Sequence, residues 1–149
     1  MSDKIRFTDQ NKTISDFYDE VWVVCTVCGQ KAFAKTDREQ KKARLFCPAC
    51  GYNKETSMES CIFGYKALSI RAAHVYFGAE LWLQHSFKDD IFCAYNGPHL
   101  EYLENYIAAD LREHKDRTHF TLLEKLPRFY HEAKNRKSLL AIIERLKNK

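Results

Sequence analysis

No apolar run in this chain approaches the roughly 18 residues that a membrane-spanning helix needs. The polar opening, Met1-Ser2-Asp3-Lys4-Ile5-Arg6, has no apolar core of the kind a signal peptide carries. These two absences lead to the expectation of a soluble, cytoplasmic protein with no membrane among its partners. Enzyme signatures are missing as well. There is no glycine-rich phosphate loop, no Gly-x-Ser-x-Gly, and no Asp/Glu pair at a spacing that suits acid–base work. The six histidines (His74, His85, His99, His114, His119 and His131) show no His-Glu-x-x-His or comparable ligand spacing. Neither sign of charge dominates. A net charge of +4 and a pI of about 8.7 permit nucleic-acid binding without requiring it.

What the chain does have is cysteine in one specific arrangement. Cys25-Thr26-Val27-Cys28-Gly29 is answered by Cys47-Pro48-Ala49-Cys50-Gly51, with eighteen residues between the two pairs. Without an export signal, paired Cys-x-x-Cys motifs belong to a reducing compartment and read as metal ligands before disulfides. Four thiolates at about 2.3 Å give zinc a closed tetrahedral shell with no position for water, so one structural zinc is expected on Cys25, Cys28, Cys47 and Cys50. A redox dithiol is the competing reading. The glycine after each pair and the strand patterns flanking both favour the metal, because Gly29 and Gly51 can turn the chain at positive φ. Cys61 and Cys93 are left over. Cys93 falls opposite His85 in the expected register of a second hairpin, but two ligands do not make a site, and both cysteines read as core packing.

With 149 residues and 45% hydrophobic content, the chain suits one compact domain or a small metal module joined to a second unit. Residues 1–20 carry five acids and three bases and read as a loosely held arm. A helical turn at Ile14–Tyr18, capped by Thr13, is the alternative. Residues 21–57 form the ribbon, with strands at Val21–Val24, Lys31–Lys35 and Ala43–Phe46 and a polar tip at Asp37–Lys42. Asn53–Ser60 reads as a loop. Tyr65, Leu68, Ala72 and Val75 fall at helical spacing, although Leu68 and Ile70 also fit a strand. Leu81–Phe87 and Ile91–Tyr95 form a hairpin closed by Lys88-Asp89-Asp90. That register puts Leu81, Leu83, His85, Phe87, Ile91, Cys93 and Tyr95 on the core face, with Trp82 and Phe92 opposite.

Asn96 is a good N-cap and Pro98 suits a first turn, so a helix follows through Leu100, Leu103, Ile107 and Leu111. A linker at His114–His119 ends it. A second helix runs from Leu126 to Lys134, burying Phe129 and Tyr130. Asn135 caps a third, whose apolar stripe is Leu139, Leu140, Ile143 and Leu146. The expected fold class is α+β: an N-terminal four-cysteine zinc ribbon, a second β-hairpin and three C-terminal helices. Residues 58–149 would form one continuous body with the ribbon.

Charge is uneven along the chain. Residues 31–44 hold six bases against two acids, and residues 111–149 hold eleven against five, whereas residues 88–110 hold one base against five acids. The leading functional reading is a non-catalytic zinc-ribbon module that contacts DNA, RNA or a nucleic-acid-processing machine. Arg38, Lys41, Lys42 and Arg44 at the tip and Lys134, Arg136 and Lys137 near the C-terminus would make the contacts. The alternative is a protein–protein adaptor anchored by Trp22, Trp82 or Phe92. A metal-assisted hydrolase built on Asp89 and Asp90 ranks third, since those residues suit a solvated turn.

One stretch carries a resemblance. Phe77-Gly78, Leu81-Trp82-Leu83-Gln84, Ala94-Tyr95-Asn96, His99-Leu100, Leu103, Tyr106-Ile107, Ala109, Leu111-Arg112-Glu113, Leu126-Pro127 and Ala133-Lys134-Asn135-Arg136 occur in that order. With the paired Cys-x-x-Cys module ahead of them, they resemble a family of small uncharacterised bacterial zinc-ribbon proteins. The resemblance covers residues 21–149 apart from 55–76. It implies the ribbon fold and adds no activity.

Overall fold

The computed structural model of the chain describes residues 6–9, 14–109, 111–114 and 126–149. In chain order the strands are β1 (Arg6–Asp9), β2 (Glu20–Val24), β3 (Lys31–Asp37), β4 (Lys42–Phe46), β5 (Asn53–Ser57), β6 (Glu59–Ile62), β7 (Tyr65–Leu68), β8 (Leu83–Phe87), β9 (Asp90–Ala94) and β10 (Leu111–His114). The helices are α1 (Gly97–Ala108) and α2 (Arg136–Lys147). These elements divide into two compact units. One is Phe17–Leu83; the other combines the described residues of Met1–Asp16 with those of Gln84–Lys149. The first unit is therefore inserted between two parts of the second. Strand β1 pairs in parallel with β10, Arg6 against Leu111 through Asp9 against His114.

The inserted unit is built on an antiparallel sheet of order β2-β3-β4-β5. Alternation along the strands turns Val21, Val23, Ala32, Ala34, Ala43 and Leu45 inward, and all are buried. Three of these are alanines, which leaves room for a 3-10 turn at Ala73–Phe77 to pack against β2, β3 and β4. Phe17, Met58, Ala72 and Ala73 complete this small core. The outer edge of β2 does not stay open. Val24 N–H donates to Glu80 O at 2.9 Å and Trp82 N–H donates to Trp22 O at 2.9 Å, either side of a bridge between Val23 and Leu81.

Residues 53–79 differ from expectation. Asn53–Ser57, expected as a loop, is the fourth strand, and the helix suggested by Tyr65, Leu68, Ala72 and Val75 does not form. Instead β6 and β7 make a hairpin through Phe63 and Gly64, with Ile62 opposite Tyr65. Phe63 takes φ 50° and Gly64 φ 80°, the left-handed pair that a two-residue hairpin loop requires. The apolar spacing was shared between a hairpin and a turn, which is how it imitated a helix.

In the second unit, the β8–β9 hairpin is displaced by one residue from the expected register. Its strands leave only Lys88 and Asp89 as the loop, with Lys88 at φ 51°. A one-residue slip exchanges the two faces of a strand. Accordingly Phe92 is fully buried (0% exposed) and Ile91 is 63% exposed, the reverse of the expectation. Phe92 lies 5.3 Å from the Tyr130 ring, and Phe87 stacks on Phe129 at the same centroid distance.

Three C-terminal helices are not formed among the described residues; there are two. Asn96 caps α1 as expected, its Oδ1 accepting from His99 N–H at 2.9 Å, with Pro98 in the first turn. The helix stops at Ala108, and Leu111 begins β10 where a further helical turn was expected. Arg136 closes the helix end, donating from Nε to Ile107 O (3.0 Å) and from Nη2 to Ala109 O (3.1 Å). Carbonyls that the last turn leaves unpaired are satisfied this way. The expected helix at Leu126–Lys134 is two 3-10 turns, Arg128–Tyr130 and Ala133–Asn135, separated by an extended Glu132. Phe129 and Tyr130 are buried all the same.

Asn135 precedes α2 without capping it through its side chain. Its Nδ2 donates to Phe129 O at 3.2 Å and its Oδ1 accepts from Lys88 Nζ at 3.3 Å. The α2 stripe is Leu139, Ile142, Ile143 and Leu146, with Leu140 half-buried. Thr13, the linker beyond His114 and the segment 122–125 lie outside the described residues. No helix among the described residues is long and apolar enough to cross a membrane.

His99, buried under the start of α1, accepts Tyr95 N–H at Nδ1 (3.0 Å). Burial holds its imidazole down to about 4 from an ordinary 6.5. The unfolded chain then binds a proton that the native state refuses. This contribution to stability is complete above pH ~6.5 and is lost as pH falls towards ~4, about 3 kcal/mol in all. Denaturant unfolding followed by helix ellipticity should lose about 1.4 kcal/mol from this source between pH ~7.5 and ~5.5. The same pH step should cost His99→Gln less by that amount. Equal pH slopes for the two proteins would show that native His99 takes up its proton as readily as the unfolded chain does.

Candidate metal centre and the sheet it supports

The two cysteine pairs lie at the same end of the four-stranded sheet, one after β2 and the other after β4. Each turn is built identically. Cys25 N–H donates to Gln30 O (2.8 Å) and Gly29 N–H to Cys25 O (3.0 Å); Cys47 N–H donates to Tyr52 O (2.8 Å) and Gly51 N–H to Cys47 O (2.8 Å). Gly29 sits at φ 77° and Gly51 at φ 79°, so any Cβ there would be strained. Each pair contributes one buried sulfur, from Cys25 or Cys47, and one exposed sulfur, from Cys28 or Cys50.

All four sulfurs lie within 4.8 Å of one another, and the group could hold a metal ion. Cys25 Sγ is 3.7 Å from Cys50 Sγ, and Cys28 Sγ is 3.5 Å from Cys47 Sγ. Those separations are far beyond a disulfide bond of about 2.05 Å. They are close to the ~3.8 Å edge of a tetrahedron whose metal–sulfur bonds are ~2.3 Å. The residues therefore fit a tetrahedral thiolate-bound ion.

Backbone donors already favour negative sulfur. Cys28 N–H and Val27 N–H point at Cys25 Sγ from 3.5 and 3.4 Å. The Cys28 N–H is the main reason the Cys25 thiol falls to about 6, with Val27 N–H adding to it against desolvation. For Cys28, the Gln30 N–H pulls downward, but desolvation and the other three sulfurs together push the thiol up to about 12. Four thiols this close cannot all ionise without a cation among them. Among the described residues no other three His, Cys, Asp or Glu side chains converge as metal ligands. Asp89 lies in the loop of the β8–β9 hairpin and Asp90 begins β9. Cys93 is half-buried, its thiol pushed up by burial, and its N–H donates to Tyr130 Oη at 3.4 Å. Cys61 is exposed on β6.

The predicted basic tip is present but largely compensated. Arg38 pairs with Asp19 (3.3 Å), Lys41 with Glu59 (3.6 Å), and Lys42 and Arg44 both with Glu55 (3.1 and 2.9 Å). The Arg44 hydrogen bond, then that of Lys42, holds the Glu55 carboxyl below its usual range. Asp37 Oδ1 shapes the turn by accepting Glu39 and Gln40 N–H. Lys134, Arg136 and Lys137 belong to the other unit. There Lys134 pairs with Glu132 at 3.0 Å, Arg136 holds the carbonyls at the end of α1, and Lys137 is exposed.

A row not recognised from the sequence, although Trp22 and Arg44 were named there singly, occupies the outer face of the sheet. Cross-strand pairing puts Trp22 opposite Phe33, Phe33 opposite Phe46, and Phe46 opposite Asn53. One row across four strands is thus three aromatics and an amide. The next row towards the tip is Glu20, Lys35, Arg44 and Glu55. Phe33, Lys35, Arg44, Phe46 and Asn53 line a shallow open depression of about 410 Å³. At the other end of the row, Lys31 Nζ stands 3.4 Å above the Trp22 ring. The alternation in Val21-Trp22-Val23, Ala32-Phe33-Ala34 and Leu45-Phe46-Cys47 is the signal that could have revealed this row. No protein-family model, curated protein or solved structure matches the chain.

Proposed function

We propose that the chain is a non-catalytic zinc-ribbon module that contacts nucleic acid through its sheet. One structural zinc on Cys25, Cys28, Cys47 and Cys50 would hold the two turns that end β2 and β4. A fourth sulfur leaves no open position, so the ion's chemistry is to fix the chain. The observation that carries the nucleic-acid reading is the outer sheet face, where Lys31 and Lys35 border the half-buried rings of Trp22 and Phe33 and the exposed ring of Phe46. This moves the expected contact from the tip, where acids compensate the bases, to the face beside it. Lys35 makes no ion pair among the described residues.

Binding should be micromolar at about 50 mM salt and weaken steeply as salt rises, because each phosphate contact releases a counterion. Lys35→Gln should lower the slope of log K against log salt by about 1. A titration at two salt concentrations measures both quantities. Absence of binding at about 50 mM salt removes the reading.

A second reading, a protein–protein adaptor, is favoured by the β6–β7 hairpin. Phe63 at its tip is 95% exposed, with Ile62 and Tyr65 exposed beside it. Of the anchors expected from sequence, Phe92 is buried and Trp22 and Trp82 are half-buried, so this hairpin would take over their role. The adaptor requires no affinity for DNA or RNA, and the same titration separates the two readings.

A further inference from the structure

Resting on the nucleic-acid reading above, we infer that the row Trp22–Phe33–Phe46–Asn53 is a stacking platform for the unpaired bases of a single-stranded nucleic acid. Three aromatic side chains stand directly opposite one another on adjacent strands, on the solvent side of the sheet. Adjacent strands are ~4.8 Å apart, so the three rings span ~10 Å. Phe46 is the open one, and Lys31 Nζ has to swing off the Trp22 ring for a base to reach it. The rings are not fully packed against each other. Trp22 and Phe33 meet edge to face with centroids 6.3 Å apart, and Phe46 is 43% exposed. An apolar ring left open at the end of such a row has a face available for a flat partner.

Charge identifies the partner's chemistry. The aromatic row is bordered on one side by Glu20, Lys35, Arg44 and Glu55 and on the other by Lys31. Glu55 holds Arg44, whereas Lys35 makes no ion pair among the described residues. Phe33, Lys35, Arg44, Phe46 and Asn53 share one depression. Aromatic faces alternating with cations suit a chain that alternates planar bases with phosphates. Asn53 ends the row with an amide that can both donate to and accept from a base edge. A duplex does not fit as well. Its bases are already stacked on one another and leave no free face for a ring, so only its phosphates would be met. An acidic protein segment would satisfy the lysines but gives no reason for a row of aromatics ending in an amide.

Fluorescence anisotropy of the full-length, zinc-loaded protein with a labelled oligothymidine of about 12 nucleotides, and with a duplex of equal length, tests the inference. The single strand should bind at least ~10-fold more tightly than the duplex, with quenching of tryptophan emission as bases approach Trp22. Phe46→Ala should weaken single-strand binding by roughly 5- to 100-fold, and Phe46→Leu, which keeps an apolar group without a ring, should weaken it similarly. Unchanged zinc content would certify that both variants are folded. If duplex binds as well as single strand and neither Phe46 variant matters, while Lys35→Gln still weakens binding, the platform is overturned and the broader nucleic-acid reading stands. If neither oligonucleotide binds, both fall.

Discussion

Cys47→Ser should reduce the bound zinc from about one ion per chain to near zero and unfold the unit Phe17–Leu83. Cys47 is one of the two buried sulfurs, 3.5 Å from Cys28 Sγ, and a serine hydroxyl does not ionise to replace a thiolate at neutral pH. The unit has little else to hold it. Its inward face is mostly alanine and valine, and its outer face is polar or half-exposed. Zinc binding releases about 10–16 kcal/mol in zinc-finger peptides, a scale at which the ion can decide whether so small a core folds. Metal analysis together with hydrogen exchange at Ala32, Ala34 and Leu45 reads the outcome. A chelator should reproduce it in the unaltered protein. Acid should promote the loss as well, since binding requires thiols such as Cys28, pushed up to about 12 without the ion, to give up protons. A Cys47→Ser protein that kept full zinc content would sink the assignment of the ligands.

The second large effect is at Phe92. Truncation to alanine should cost about 3–5 kcal/mol, as expected for a buried phenylalanine. Ile91→Ala, on the opposite face and mostly exposed, should stay within about 0.5 kcal/mol. Denaturant unfolding followed by the helix signal of α1 and α2 measures both. The pair is a direct test of strand register. With a three-residue loop, Ile91 would be the costly position and Phe92 the neutral one.

These residues also show which parts of the structure can be read from sequence. Strands β2, β3 and β4 were legible because β-branched and aromatic residues alternate there, and because the cysteine pairs punctuate their ends. The convergence of Cys25, Cys28, Cys47 and Cys50 was legible from spacing alone. Strand β5 was not, since Asn53-Lys54-Glu55-Thr56-Ser57 buries almost nothing. It is held by backbone pairing to β4 and by Glu55 receiving both Lys42 and Arg44, neither of which leaves a hydrophobic pattern. The hairpin register failed by one residue because Asp90 reads as a turn former but serves as the first residue of β9. In the C-terminal segment the burial of Phe129 and Tyr130 was legible, but the helix was not real. Two short 3-10 turns bury the same rings through local geometry that no periodicity announces. The aromatic row was present in the sequence all along. It appears only when pairing shows that Trp22, Phe33 and Phe46 are neighbours across strands.

The insertion of Phe17–Leu83 between β1 and the rest of its unit has a consequence for biosynthesis. During translation β1 emerges ahead of the ribbon, yet its pairing partner β10 is among the later parts of the chain, so Arg6 must wait for Leu111. The unit Phe17–Leu83, with all four clustered cysteines, is complete once Leu83 has emerged, while α1 and α2 are still unmade. Domains fold as units on the growing chain, and here the middle of the protein is ready before the beginning. If the proposed ion holds this unit, metal supply at that moment would decide whether the nascent chain carries a closed module or a long unfolded loop between β1 and β10, with the loop-closure entropy that entails.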